Sequence, residues 1–452
     1  MKILIATDAY YPMINGVVTS TVILYEELKK MGHEVRILTL SSNKSERFEN
    51  SIYYLKSIKI NIYPDARIKY LSGSNIIKQI EEWSPDIIHT QTEFSVMLVA
   101  KKLASRLNIP LIHTYHTMYE DYTNFLIGSK KLNKKVIIKV VKQLVSNFSG
   151  VIAPTEKTTQ TLLRYKVATP IYTIPTGLNL DKFNRTIETS EYISLKQKYD
   201  LINKKTLVYL GRISKEKNID EIIHYIKNNK PYFNDKRFLI AGGGPYLLNL
   251  KKLVHNYALN DIVKFTDFIN PDEVYKYYKL GEVFVTASTT ETQGLTYIEA
   301  MACGIPVVCR NDDCVETLIK NNENGFKYTD ENSFISSLNT IFSSNELYKT
   351  MCEKSKLKTN EYSSETFASN VLKSYTTLIT AHNQNSENEF SFGNLFTEFQ
   401  TLYNLKRNLG ETFDYSKDKI SFRINRMKDG TYEIRQHMKD RINSVRDKYK
   451  SS

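Results

Sequence analysis

Two carboxylates eight residues apart, Glu291 and Glu299, mark the segment Ser288-Thr-Thr-Glu-Thr-Gln-Gly-Leu-Thr-Tyr-Ile-Glu-Ala-Met-Ala-Cys-Gly-Ile-Pro-Val-Val308. An apolar stretch at 283–287 precedes it and a second, at 305–309, ends it. The pattern predicts a strand, a turn, a helix opening at Gly294-Leu295-Thr296, and a second strand. A helix start points free backbone N–H groups into a cleft, which makes a phosphate site. Gly294 leaves room for a ligand oxygen to approach the main chain. Glu291 falls in the loop before the helix and Glu299 about a turn and a half into it, so both flank whatever the amides hold. Carboxylates are poor phosphate ligands but good acceptors for sugar hydroxyls, at roughly 1.5–3 kcal/mol per charged hydrogen bond. A diphosphate between two hydroxyl-rich groups describes a nucleotide sugar. On local evidence alone, an acidic residue favoured by the helix dipole plus a surface glutamate also fits.

A second stretch, Gly211-Arg-Ile-Ser-Lys-Glu-Lys-Asn218, follows another apolar strand. Its cations Arg212 and Lys217 suit a departing diphosphate, whose growing negative charge is met by a planar fork and a point charge. Lys215 reads as an ordinary solvated charge. Asn15-Gly16 opens a helix after the first strand as a lone glycine turn. It is not the G-x-G-x-x-G fingerprint of a nicotinamide site, and a purely structural turn is equally compatible. In His113-Thr-Tyr-His116, His113 lies within a strand and His116 just past it, near a cleft. A histidine there is able to titrate near neutrality.

The Glu291–Glu299 segment closely resembles the E-x7-E signature of retaining glycosyltransferases of the family-4 type, and 211–218 resembles that family's G-R-x-x-x-x-K-G/N stretch. The resemblance implies an α/β fold of the GT-B kind, two Rossmann-like domains facing across a cleft. It also implies that Glu291 holds hydroxyls of the donor sugar, Glu299 the nucleotide ribose and Gly16 the diphosphate. His116 would sit beside the transferred sugar. With Ile269, Gly294, Leu295 and Thr296 these residues complete the implied nucleotide-sugar site. His89-Thr-Gln-Thr-Glu-Phe-Ser95 and the run 118–122 resemble motifs of bacterial diacylglycerol α-glucosyltransferases, which make glycolipids and lipoteichoic-acid anchors. That resemblance covers about residues 1–380 and implies a UDP-glucose donor and a diacylglycerol acceptor. Another glycosyl-lipid, teichoic-acid or capsule acceptor is the main alternative. A glycosidase using the two glutamates as acid and base would have no need of Arg212, Lys217 and the glycine loop. A non-catalytic nucleotide-sugar or membrane-binding protein would have no need of the full set. No Asp-x-Asp triplet occurs. Arg212, Lys217 and helix amides supply the charge that such a motif's metal would bring, so neither metal nor other cofactor is expected.

The elements that must position these residues alternate. Strands are expected at 2–7, 34–40, 85–89, 109–113, 150–153 and 170–174, with helices at 18–31 and 95–107 among them. The alternation restarts after Pro175-Thr-Gly177, with strands at 206–211, 237–241, 263–265, 283–287 and 305–309. Such alternation means parallel sheets covered on both faces, with ligands at the carboxyl ends of the strands. Residues 1–177 form an acceptor domain and 178–381 a donor domain, whose helical end (332–381) crosses back to the first. Residues 382–393 are a polar linker, and the basic extension beyond them, up to 452, has no assigned role.

Charge separates the two halves: residues 1–180 carry +9, 181–378 +1 and 379–452 +3. The first part suits an anionic membrane surface, and no nucleic-acid module is present. Within 129–147, Lys131, Lys135, Lys139 and Lys142 share one side of a helix beside valines and leucines. That helix fits a lipid headgroup plane, or ordinary packing on the sheet. The N-terminal apolar run breaks at Asp8, too early for a signal peptide, and nothing is long enough to span a bilayer. A peripheral protein on the cytoplasmic face of a membrane follows. The four cysteines form no pair or metal pattern.

Overall fold

A computed structural model of the chain describes residues 1–13, 15–42, 45–59, 67–69, 74–118 and 134–384. The first domain contains strands β1 (Lys2–Ala6), β2 (Glu34–Leu40), β3 (Arg47–Glu49), β4 (Ile52–Leu55), β5 (Ser57–Lys59), β6 (Arg67–Lys69), β7 (Ile87–Thr90), β8 (Leu111–Thr114), β9 (Gly150–Ala153) and β10 (Ile171–Thr173). Eight of them form one sheet in the order β10-β9-β8-β7-β1-β2-β4-β3, parallel except for the edge pair β3–β4. The second domain contributes β11 (Lys205–Leu210), β12 (Lys236–Ala241), β13 (Val263–Asp267), β14 (Val283–Thr286), β15 (Val307–Arg310) and β16 (Gly325–Tyr328), a parallel sheet ordered β13-β12-β11-β14-β15-β16. The expected α/β architecture of two Rossmann-like units is therefore present.

The central strands of each sheet are buried on both faces, which is why they read as apolar runs. In β1, Ile3 and Ile5 enter one core while Leu4 and Ala6 enter the other. Leu207 and Tyr209 of β11 face one side of the second sheet, Val208 and Leu210 the opposite side. Both sheets reverse their strand order once, at β1/β7 and at β11/β14. Ligands of such sheets bind outside the carboxyl ends at these reversals.

The strands expected at 109–113 and 305–309 begin later, at Leu111 and Val307. Each starts just past a proline, Pro110 or Pro306, which has no N–H to give to the ladder. The helical end of the chain is three helices, Glu331–Ser343, Asn345–Thr359 and Ser364–Gln384. The last returns to the first domain, where Phe367, Val371, Tyr375 and Leu378 cover the face carrying Ile3, Ile5, Ile87, Ile112 and Ile152. The two passages between domains run side by side. The Leu178 N–H donates to the Tyr362 carbonyl and the Ser364 N–H to the Leu178 carbonyl, at 2.8 and 2.9 Å. The linker and basic extension from 385 onward, and Lys131, lie outside the described residues.

Candidate functional site

The loop Ser288–Gln293 leaves β14 and leads into the helix Leu295–Ala302, as the sequence predicts. Gly294 caps that helix in the left-handed region, φ 74°. A methyl at its Cα would lie 2.3 Å from the buried Tyr297 ring, so glycine is needed for both conformation and space. The loop after β11 abuts this helix start: a methyl on Gly211 would meet Thr296 Cγ2 at 3.6 Å. From the first domain, Gly16 opens the helix Gly16–Lys30, capped by the Asn15 side chain. A methyl on Gly16 would stand 3.7 Å from Leu295 Cδ1. Gly16, Gly294, Leu295 and Thr296 thus converge where the two sheet reversals face each other.

Glu291 is brought directly to Lys217. The ammonium donates to Oε1 at 2.6 Å, with side chains 22% and 17% exposed. Burial alone would raise the Glu291 pKa, but Lys217, aided by Ser288 and Lys157, outweighs it and holds the carboxyl below the usual range. Arg212 is more open, 44% exposed, and bonds Glu216 at 2.5 Å. Glu216 also accepts from the Ser214 hydroxyl at 2.6 Å. Its pKa is lowered: burial opposes ionisation, while bonds from Ser214, the backbone and Arg212 overcome it. Nothing in the sequence reading singled out Glu216, although its four-residue offset from Arg212 was the available signal.

Glu299 has a different environment. It accepts from the Tyr278 hydroxyl at 2.7 Å, and burial pushes its pKa up to about 7. Tyr278 came with no sequence signal, since only the fold brings the short helix Val274–Lys279 against the helix bearing Glu299. Ile269 follows β13 and is buried in the same apolar cluster as Tyr278, so its side chain is core and its main chain is what a ligand would meet.

His116 lies past β8, and its Nε2 is 2.8 Å from Gln91 Oε1. Burial lowers its pKa to about 4, against a pull from Glu93. It does not titrate near neutrality, contrary to the sequence expectation, and is a neutral ring at physiological pH. The run His89 to Glu93 is itself buried, so it supports the cleft from behind.

Both domains hold the loop carrying Glu291. Gln293 donates from Nε2 to the Thr176 carbonyl and accepts from the Thr176 N–H, each at 2.8 Å. The Thr292 hydroxyl donates to the His116 carbonyl at 2.9 Å, and the Thr155 hydroxyl to the Thr292 carbonyl at 2.8 Å. Lys157 reaches Asp312 at 2.9 Å, so the Asp312-Asp313 turn is also an interdomain anchor.

The lysine-rich helix spans Lys134–Val145 in the described residues. Its Val140, Val141, Leu144 and Val145 belong to the first-domain core, while Lys139 and Lys142 are exposed. Those four apolar residues are therefore taken by protein packing, and the side offered outward is the charged one. No described helix is long and apolar enough to cross a membrane.

Residues 14–182 match the model of Glycosyltransferase Family 4, and residues 194–358 that of Glycosyl transferases group 1. An alpha-monoglucosyldiacylglycerol synthase of Streptococcus pneumoniae is 35% identical over 388 residues, 85% of this chain and 87% of that protein. One of the same name from Acholeplasma laidlawii is 33% identical over 398 residues, 85% and 99% of the two chains. Among solved structures, Anabaena Alr3699/HepE in complex with UDP-glucose superposes with a TM-score of 0.65 at 15% identity, covering 83% of this chain and all of that one. These matches and the two facing sheets agree: the chain belongs to the family-4 glycosyltransferases and has the GT-B fold.

Proposed function

We propose that this glycosyltransferase moves glucose from UDP-glucose to the 3-hydroxyl of diacylglycerol, with retention of configuration, at the cytoplasmic face of a membrane. The observation that carries the reading is the Lys217–Glu291 pair beside the Gly294 helix start. It sets a cation for the β-phosphate and an acceptor for sugar hydroxyls within one hydrogen bond of each other. The two relatives named as alpha-monoglucosyldiacylglycerol synthases support the acceptor. The UDP-glucose complex of a fold neighbour supports the donor.

In this reading Glu299 accepts from ribose hydroxyls, and Gly16 and the helix amides receive the diphosphate. Arg212 and Lys217 meet the charge that grows on the β-phosphate as the bond to the anomeric carbon breaks. The acceptor oxygen bonds the anomeric carbon on the face the phosphate leaves, and its proton passes to the departing phosphate oxygen. No protein nucleophile is required and no metal takes part. Neutral His116 stands beside the sugar as a hydrogen-bonding group. The exposed Lys139 and Lys142 meet anionic lipid, and Lys131 and Lys135 are assigned the same role from the sequence.

The test is a panel of UDP-sugars with liposomes containing diacylglycerol or a monoglucosyl lipid, the product identified by mass and its anomer by NMR. A monoglucosyldiacylglycerol with α linkage, formed in the presence of EDTA, is expected. Transfer only to a lipid that already carries sugar would move the acceptor one step along, and a strict need for magnesium or manganese would overturn the metal-free site.

A further inference from the structure

Behind His116 runs a buried polar chain that the proposed reaction leaves unused. Tyr375, on the helix that returns from the second domain, places its hydroxyl 2.6 Å from His89 Nδ1. His89 Nε2 lies 2.7 Å from the Thr114 hydroxyl and 3.0 Å from Gln91 Nε2. Gln91 Oε1 then lies 2.8 Å from His116 Nε2. Tyr375, His89 and Gln91 are at most 1% exposed.

With its oxygen toward His116 and its nitrogen toward His89, the Gln91 amide sets the protons along this chain. An amide nitrogen only donates, so His89 Nε2 accepts and its proton sits on Nδ1, facing Tyr375. An amide oxygen only accepts, so His116 Nε2 carries the proton. In a neutral ring Nδ1 is then the lone-pair nitrogen. The titratable groups around His116 are His89, His113 and Glu93, the last 3.7 Å from His113 Nε2. A core that needed only filling would accept an apolar side chain of the same volume, because removing both partners of a buried hydrogen bond is nearly neutral.

We infer that Gln91 is a positioning residue that fixes the orientation and tautomer of His116, so that the imidazole offers Nδ1 as a hydrogen-bond acceptor to a hydroxyl of the transferred sugar. The inference rests on the reading of His116 as a donor-sugar contact. His89 and Tyr375 act one step further back by orienting the amide.

The full chain labelled with 15N-histidine tests it, with His116 assigned from the His116→Asn spectrum. In the wild type His116 is expected neutral from pH 6 to 8 with its proton on Nε2. Gln91→Met should leave UDP affinity within about twofold but mix the His116 tautomers and lower kcat at saturating UDP-sugar about tenfold, the effect of ~1.4 kcal/mol. Gln91→Glu sets a carboxylate beside the Nε2 proton and favours the imidazolium. Titration of His116 should move up by about a unit or more, and kcat should gain an acid limb that the wild type lacks. His89 can accommodate the change, since the Tyr375 and Thr114 hydroxyls both donate or accept. A wild-type His116 carrying its proton on Nδ1 would overturn the inference even if neither variant folds. So would a folded Gln91→Met with wild-type kcat and tautomer. If His116→Ala itself turns over normally, the reading of His116 fails; if His116→Ala is slow but Gln91→Met is not, only the role of Gln91 fails.

Discussion

Glu291 and Glu299 are the same residue type on one short segment, yet the protein shifts their titration in opposite directions. Lys217 keeps Glu291 ionised, while burial brings Glu299 close to neutrality in its titration. Glu299→Ala should weaken UDP binding about ten- to a hundredfold, the loss of roughly 1.5–3 kcal/mol. Glu291→Ala should lower transfer more than UDP affinity. Isothermal titration and turnover on both variants decide this, and wild-type values for both would remove the central assignment. The affinity advantage of wild type over Glu299→Gln should also shrink as pH falls through about 7, because the wild-type carboxyl then becomes protonated. The Lys217 pair makes a separate prediction for stability. The Glu291 pKa is depressed, so its contribution is full above the ordinary value of 4.5 and is lost as pH falls through the folded value. Lys217→Ala should therefore lower Tm at pH 7, with the gap to wild type closing on acidification. A gap that stays constant down to pH 3 would show that the pair does not carry the effect.

Local pattern predicts the elements well where one chain segment decides the outcome. The helix at Ser95–Leu107 and the strand at Gly150–Ala153 appear as expected, because periodicity and flanking residues settle them. The segment 288–299 is legible for the same reason: a strand, a glycine cap and two carboxylates are neighbours in sequence. The partners that complete the site are less so. Tyr278 meets Glu299 from 21 residues away, and Gln293 meets Thr176 from 117. The first contact exists only once the second domain has folded and the second only once both domains have formed, and no periodicity encodes either. The strands β3 to β6 and the helix Asn75–Trp83 also went unread, being short pieces between stronger signals. Gln293→Ala should leave the buried Thr176 N–H and carbonyl without partners and lower stability by about 1–3 kcal/mol. Chemical denaturation measures this, and an unchanged midpoint would mean that the loop is held by its other bonds. Gly294→Ala should be harsher for activity. Its methyl meets the Tyr297 ring, so the helix start must move, and UDP affinity should fall together with Tm.

On the scale of the whole molecule, charge is divided between the halves, +9 in residues 1–180 against +1 in 181–378. The apolar residues Val140, Val141, Leu144 and Val145 are already packed inside, so membrane binding through this helix should be electrostatic. Replacing Lys131, Lys135, Lys139 and Lys142 by Gln should release the protein from anionic liposomes in flotation, with soluble UDP binding kept. Raising salt should do the same to the wild type, because exposed charges are screened over roughly 8 Å at physiological ionic strength. Equal flotation of both forms on neutral and anionic vesicles would place lipid contact elsewhere. The returning helix Ser364–Gln384 has a consequence for how the protein is made. One face of the first sheet is closed by Phe367, Val371, Tyr375 and Leu378, which a ribosome delivers about 200 residues after Thr176. At roughly 5–20 residues per second that is about 10–40 s, during which Ile3, Ile5, Ile87, Ile112 and Ile152 lack this cover. The nascent first domain is thus sticky for the whole synthesis of the second, and residues 1–177 expressed by themselves should need a chaperone, or the missing helix supplied as a separate peptide, to stay in solution.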